Sequence, residues 1–348
     1  MNKIEYKLII DNNGEVVDSA ILQSDNEINL KNVEFFVGDN KVNIIKKQKI
    51  DNKLYFYFDH DSFLRTIGFD IKKFVDTYSL PEIRCVISNI SNDNYDVSFS
   101  YDECLTAFKS TFYQGKKGIL SYEIYASEEK SIKRPLVVFL HGSGERGFNN
   151  RLQLLGNDVP KTIYNYVRKH EDSVILAPQA TWAKELNGWF RPEVRATLMD
   201  LIHFIIKKEN IDTNRIYLCG LSNGGAATWH FGDNYPELFA ALIPCCGYIF
   251  NDNKKFLGGQ GQGRYMEATH SEIEKLKDMP IWAFHANDDP VVNSLGTKNT
   301  VKQLKDIGND KVKMTIYPDN TVTPNAHGCW ANAYNNSELL PWLFAQHK

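Results

Sequence analysis

A serine stands between glycines two residues to either side in Tyr217-Leu-Cys-Gly-Leu-Ser-Asn-Gly-Gly-Ala226. The apolar run Arg215–Cys219 before it has the texture of a short buried strand, and Ala226-Ala-Thr-Trp-His-Phe231 after it can continue as a helix. A strand-to-helix turn this tight leaves no room for side chains on its flanks, which accounts for Gly220 and Gly224 and presents the Ser222 hydroxyl at the edge of a sheet. The chemistry open to such a serine is nucleophilic attack on an acyl carbon, with the Asn223 amide behind it facing the developing oxyanion. The bare Gly-x-Ser-x-Gly pattern arises by chance in roughly one chain in ten of this length. An ordinary glycine turn is therefore the plain alternative, and the rest of the chain has to decide.

A nucleophilic serine needs a base, a carboxylate to orient that base, and a second oxyanion donor. In a doubly wound sheet these sit in loops after the strands, and in this fold order the acid and then the histidine follow the serine. Phe284-His-Ala-Asn-Asp-Asp-Pro-Val-Val292 supplies two acids directly after a strand. Asp289 is preferred, because Asp-Pro-Val-Val places it on the turn leaving the strand, with Asp288 stabilising that turn. Of nine histidines, His327 in Asn325-Ala-His-Gly-Cys-Trp330 alone combines a polar loop after the last strand with the right order. His141 and His285 lie at strand ends but precede Ser222 and Asp289 respectively. Leu140-His-Gly-Ser-Gly-Glu-Arg-Gly147 follows an early apolar strand, and its Ser143 amide, with Gly144 as alternative, is the expected second oxyanion donor. His141 is expected to pack beneath that loop. Trp189, Trp330 and the 250–266 loop are candidates to line the substrate pocket, although tryptophans more often pack cores.

Two textures divide the elements that must position these residues. From Tyr6 to about Ala107 the chain carries short runs rich in β-branched and aromatic residues, such as Lys53-Leu-Tyr-Phe-Tyr-Phe-Asp59, separated by Asn/Asp/Gly turns. This predicts an antiparallel all-β sandwich, immunoglobulin-like in architecture, over residues 1–112, with a helical excursion over Phe63 to Tyr78. From about 113 to 348, continuous apolar runs alternate with helical stretches, which predicts a parallel sheet covered by helices. The strands are expected near 136–141, 173–178, 215–219, 238–244, 281–285 and 312–317, and helices near 151–169, 193–209, 225–232, 270–277, 294–306 and 336–346. Gly258-Gly-Gln-Gly-Gln-Gly263 follows no predicted strand and reads as a flexible loop rather than a dinucleotide site. The link around Gln114–Gly118 is short and its upstream flank apolar, so the sandwich is expected to pack on the second domain or to mediate self-association.

Composition removes several classes of partner. The 348 residues carry 40 basic and 43 acidic side chains, a formal charge of −3, with no basic block that would recommend nucleic acid or an anionic membrane. No apolar run approaches a membrane span. Met1-Asn-Lys-Ile-Glu-Tyr-Lys7 has no apolar core of a signal peptide, which makes the cytoplasm the default expectation. Six cysteines at 85, 104, 219, 245, 246 and 329 show no metal or redox spacing and read as free thiols. No cofactor or metal is expected.

Together, Leu140–Gly147, Ala177-Pro-Gln-Ala180, Gly220–Gly224, Asp289-Pro-Val-Val292 and His327-Gly-Cys-Trp330 resemble the α/β-hydrolase esterases. The similarity is to the bacterial "predicted peptidase" group beside feruloyl-esterase-like and polyhydroxybutyrate-depolymerase-like enzymes, some of which carry an N-terminal immunoglobulin-like domain. Ala286 stands where that group usually has glycine, and Asn293 where proline is common; neither touches a catalytic position. The resemblance implies a serine ester hydrolase using Ser222, His327 and Asp289, with Asn223 and Ser143 amides as oxyanion hole, on a small-molecule or glycan-linked ester. A serine peptidase of the same fold is the alternative, and a catalytically dead hydrolase-fold binding module a third.

Overall fold

The computed structural model describes residues 3–24, 28–88, 95–128, 131–183, 188–259 and 262–348. The chain divides into two compact units. The first comprises Met1–Asp70, Asp76–Ala107 and Leu155–Asp158, and the second Ile71–Val75, Phe108–Leu154 and Val159–Lys348.

The first unit is built from strands. A five-stranded sheet has the order Asp96–Ser100, Lys3–Asp11, Gly14–Gln23, Lys53–Phe58, Ile44–Ile50, and a three-stranded sheet the order Asn40–Lys41, Val33–Val37, Ile83–Ile87. All these pairs are antiparallel except Lys3–Asp11 with Asp96–Ser100, which run parallel. Alternate residues of Lys53–Phe58 are buried, as the period of two requires for a sheet with one covered face. Phe56 and Phe58 lie edge-on to Phe35 of the smaller sheet, so both sheets share one apolar core. The helix expected over Phe63 to Tyr78 is not formed. A 3₁₀ turn at Ser62–Leu64 leads into a hairpin of Ile67–Asp70 and Val75–Tyr78, as the β-branched and aromatic residues there prefer.

The second unit is an eight-stranded sheet in the order Lys109–Gln114, Ile119–Tyr125, Val174–Gln179, Arg134–Leu140, Ile211–Leu221, Ala241–Cys245, Ile281–Ala286, Val312–Tyr317. The first two strands pair antiparallel, and from Val174–Gln179 onward every pair is parallel. Every residue of Arg134–Leu140 and of Ala241–Cys245 is buried, the expected state of central parallel strands covered on both faces. Sequence patterning missed the two antiparallel strands, whose alternation is mixed with polar residues. Because Lys109–Gln114 belongs to this sheet, the division between units falls at 107/108, ahead of that strand, rather than at 112/113. The helix anticipated over 151–169 is two, Leu152–Leu155 and Val159–His170. The glycine-rich stretch carries a hairpin of Leu257–Gly259 and Gln262–Tyr265 instead of an unstructured loop; Gln260 and Gly261 lie outside the described residues. All six cysteines are buried and unbridged. Among the described residues no helix is long and apolar enough to cross a membrane.

Candidate active site

Ser222 sits where strand Ile211–Leu221 turns into helix Asn223–Asn234, with φ 54° and ψ −115°. That conformation is disfavoured for a residue with a Cβ and is held from both sides. The Ser222 amide donates to Cys245 O at 3.0 Å and to Cys246 Sγ at 3.3 Å. The turn closes against the neighbouring strand so tightly that a Cβ on Gly224 would lie 1.9 Å from Leu140 O, and one on Gly220 2.4 Å from Gly224 O. Glycine at these two positions is therefore a steric requirement. Asn223 opens the helix, whose first bond runs from Ala226 N to Ser222 O; its amide has no intrahelical acceptor and lies at the positive end of the helix dipole.

His327 and Asp289 arrive from two distant loops. Asn325 Oδ1 accepts the His327 amide at 3.0 Å and shapes the 3₁₀ turn Ala326–Gly328 that carries the imidazole. His327 Nε2 lies 2.8 Å from Ser222 Oγ, and its Nδ1 lies 2.7 Å from Asp289 Oδ2. Since a carboxylate only accepts, Nδ1 carries the hydrogen and Nε2 is left to receive the serine proton. Asp289 Oδ1 accepts the amides of Val291 and Val292 at 2.8 and 3.0 Å. Burial alone would raise the Asp289 carboxyl, but hydrogen bonds from His285 and His327, with the charge of both rings, hold it well below the usual carboxylate range. The neighbouring Asp288 turns away and caps the Asn320 amide at 2.8 Å.

The loop after Arg134–Leu140 lies on the other side of the serine: a Cβ on Gly142 would be 3.5 Å from Ser222 Cβ. Ser143 is half-buried, and its carbonyl is turned inward to accept Arg146 Nε at 2.7 Å. His141 is fully buried beneath this loop. Its Nε2 accepts the Ala180 amide at 2.9 Å, so Nδ1 must be the protonated nitrogen that donates to Gly142 O at 2.6 Å. Burial pushes its pKa down to about 3. Gly147 N donates to Ala180 O, and Gln179 Nε2 to Glu145 O. The Ala177–Ala180 segment thus supports the loop after Leu140.

The two pocket tryptophans differ. Trp330 is half-buried and its ring stands edge-on to His327, 5.6 Å away. Trp189 offers no surface to a substrate. It is 0% exposed, with its indole nitrogen donating to His141 O at 2.9 Å and its amide to Asn223 Oδ1 at 3.3 Å. It is a core residue that buttresses the His141 loop and the start of the Asn223 helix, a role its apolar bulk and single donor suit. Of the 250–266 segment, strand Gln262–Tyr265 borders the acid loop, with Arg264 N donating to Val291 O and Asn293 N to Arg264 O, each at 3.3 Å. Sequence reasoning read Cys246 as a free thiol and gave His285 no role; both lie against Ser222 and Asp289 and carry no local signal beyond a strand end. Ligand atoms of Cys246, Asp289 and His327 lie within 4.8 Å of one another. The carboxylate and both ring nitrogens are already committed to the hydrogen bonds above, so they are not assigned to a metal.

With this geometry in hand, the comparisons with known proteins are informative. The phospholipase/carboxylesterase family of α/β-hydrolases matches residues 192–325, a span that includes Ser222 and Asp289. Curated relatives include a bifunctional acetylxylan esterase/xylanase of Neocallimastix patriciarum, 25% identical over 212 residues, 58% of this chain and 26% of that protein. Another is acyl-protein thioesterase 1 of Neurospora crassa, 28% identical over 210 residues, 52% of this chain and 77% of that protein. The chain thus spans about a quarter of the first relative's length. Among solved structures, a thermostable esterase superposes with a TM-score of 0.81 at 26% identity, covering 99% of this chain and 100% of its own. A ferulic acid esterase shares the fold, with a TM-score of 0.51 at 16% identity over 68% of this chain and 97% of its own. The second unit has an α/β-hydrolase-type fold, and these likenesses support a carboxylic ester hydrolase. The first unit is strand-rich; its immunoglobulin-like character rests on sequence texture.

Proposed function

We propose that the chain is a serine esterase that works through an acyl-enzyme. The observation that carries this reading is the unbroken series Ser222 Oγ, His327 Nε2, His327 Nδ1, Asp289 Oδ2, with separations of 2.8 and 2.7 Å. Ser222 Oγ attacks the ester carbonyl carbon while His327 Nε2 takes its proton. Asp289 keeps the imidazole in the tautomer that can do so and stabilises the imidazolium that results. The carbonyl oxygen becomes an oxyanion, received by the Asn223 and Ser143 amides. Collapse of the tetrahedral intermediate breaks the bond to the alcohol, which leaves with the proton from His327. Water then repeats the sequence on the acyl-enzyme, releasing the acid and restoring Ser222.

An ester substrate, small or glycan-linked, is favoured over a peptide. The relatives at 25–26% identity are named for ester hydrolysis. The test is labelling with a fluorophosphonate, followed by a panel of acetyl, longer acyl and feruloyl esters beside matched peptide substrates. Labelling at Ser222 with ester turnover is the expected result. Absence of labelling would leave a binding module, and preferential peptide cleavage would replace the esterase reading with a peptidase.

A further inference from the structure

We propose that His285 is a positioning residue for the acid of this site: together with His327 it clamps one oxygen of Asp289, and it does so with both of its ring nitrogens donating. The inference rests on the triad reading above.

His285 ends strand Ile281–Ala286, and its side chain and that of Asp289 are both 0% exposed. Its Nε2 lies 3.2 Å from Asp289 Oδ2 and 3.0 Å from Val292 O. A carboxylate oxygen and a carbonyl oxygen can only accept, so Nε2 carries a hydrogen. On the other side of the ring, Nδ1 lies 2.8 Å from Thr297 Oγ1, and that hydroxyl donates to Gly247 O at 3.0 Å. We assign the single hydroxyl hydrogen to Gly247 O, which leaves Nδ1 to donate as well. Two donating nitrogens are the hydrogen-bond pattern of an imidazolium. A buried cation is tolerated only beside a compensating charge, and Asp289 is that charge. Oδ2 then receives donors from both histidines while Oδ1 receives two amides, so the carboxylate has no rotational freedom left.

Among the described residues, Cys246 also faces this pair, and burial raises its thiol well above its ordinary value. Asp288 is turned to Asn320 N, and Lys298 of helix Leu295–Asp306 bonds to Asn287 Oδ1. His285 therefore draws negative charge from the oxygen that must stabilise the His327 imidazolium. The charge on His285 thereby offsets part of the field of Asp289 at the His327 ring, which the acidic limb of the pH profile reads out. The same ring pins Val292 O and the Thr297 hydroxyl, which joins the acid loop to the helix that follows it.

The test compares the full-length chain with His285→Gln, whose amide can still donate to Asp289 without charge, and His285→Leu, which cannot. The readouts are kcat and KM on an ester, the pH profile of kcat/KM, and side-chain ¹⁵N NMR of the wild type with the His285 signals assigned by their loss in His285→Gln. Both ring nitrogens should resonate as protonated at neutral pH. In His285→Gln the acidic limb should move up by about one pH unit, the size of a removed neighbouring charge, with KM unchanged. His285→Leu should lose a further factor of about ten in kcat, one pKa unit's worth of stabilisation. A neutral ring in the NMR spectrum, or an unmoved acidic limb with kcat equal in both variants, would overturn the proposal. Should His285→Leu fail to fold, the NMR spectrum and the Gln variant decide alone. Fluorophosphonate labelling that persists in Ser222→Ala would instead overturn the triad reading and leave the state of the His285 ring to the NMR result.

Discussion

At the scale of single residues, the proposed mechanism gives each member of the series one task that the others cannot perform. Ser222→Ala is expected to remove ester turnover by on the order of a million-fold, as loss of a triad serine does in serine hydrolases, with the fold intact. The half-buried hydroxyl makes no bond but that to His327 among those described. His327→Ala should act similarly; a variant of either kind retaining half its kcat would end the assignment. Asp289→Asn should cost about ten-thousand-fold, because the amide presents a donor to Nδ1 and favours the wrong tautomer. Asp288→Asn should keep most of its turnover, since an amide oxygen can still cap Asn320. Steady-state kinetics on one ester separates the two, and equal losses would show that the acid has been misassigned.

At the scale of elements, the strand-turn-helix around Ser222 is defined by what it excludes. Gly224→Ala would place a methyl group 1.9 Å from a backbone oxygen of the adjacent strand, and neither backbone can give way without moving the nucleophile. The expected loss is at least about 3 kcal/mol, the upper end of overpacking penalties. Gly308→Ala, at φ +90° but with nothing within 4 Å, should cost only about 1–2 kcal/mol of backbone strain. Chemical denaturation of the pair checks this, and similar values would refute the steric account. The loop after Leu140 makes a second prediction, through His141. Its pKa is about 3 in the folded chain and about 6.5 when unfolded. Between these values the unfolded state binds a proton that the folded state refuses, so stability falls as pH drops from about 6.5 towards 3. His141→Gln, which keeps an acceptor for Ala180 N, should show a shallower fall of Tm over that window. An unchanged slope would show that His141 does not set it.

At the scale of the whole molecule, the boundary between units is a matter of strand pairing. Lys109–Gln114 pairs along its length with Ile119–Tyr125, and Phe108 packs against Tyr125 and Tyr164. A protein beginning at residue 108 should therefore unfold at a higher temperature than one beginning at 113, which loses that edge strand. Calorimetry on the two would measure the difference, and identical Tm values would argue that the strand contributes nothing to the second unit.

The sequence by itself singled out Ser222, Asp289 and His327 as candidates, because each sits in a local pattern with a local physical cause. The glycines of the turn, an acid on the exit of a strand and a histidine in the last polar loop can all be recognised within ten residues. The parallel sheet was legible for the same reason, since strands buried on both faces must be continuously apolar. What only the tertiary structure decided depends on groups brought together from far apart in the chain. Trp189 looked like pocket lining until its indole was found against His141 O. The hairpin at Ile67–Tyr78 is made by pairing, and its strands are too short and mixed to show a period. His285 had the wrong order to be the base, and nothing near it in sequence reveals that Thr297 and Asp289 meet its two ring nitrogens. Hydrogen-bond direction at a buried group is fixed by all of its partners at once, and those partners converge only when the chain has folded.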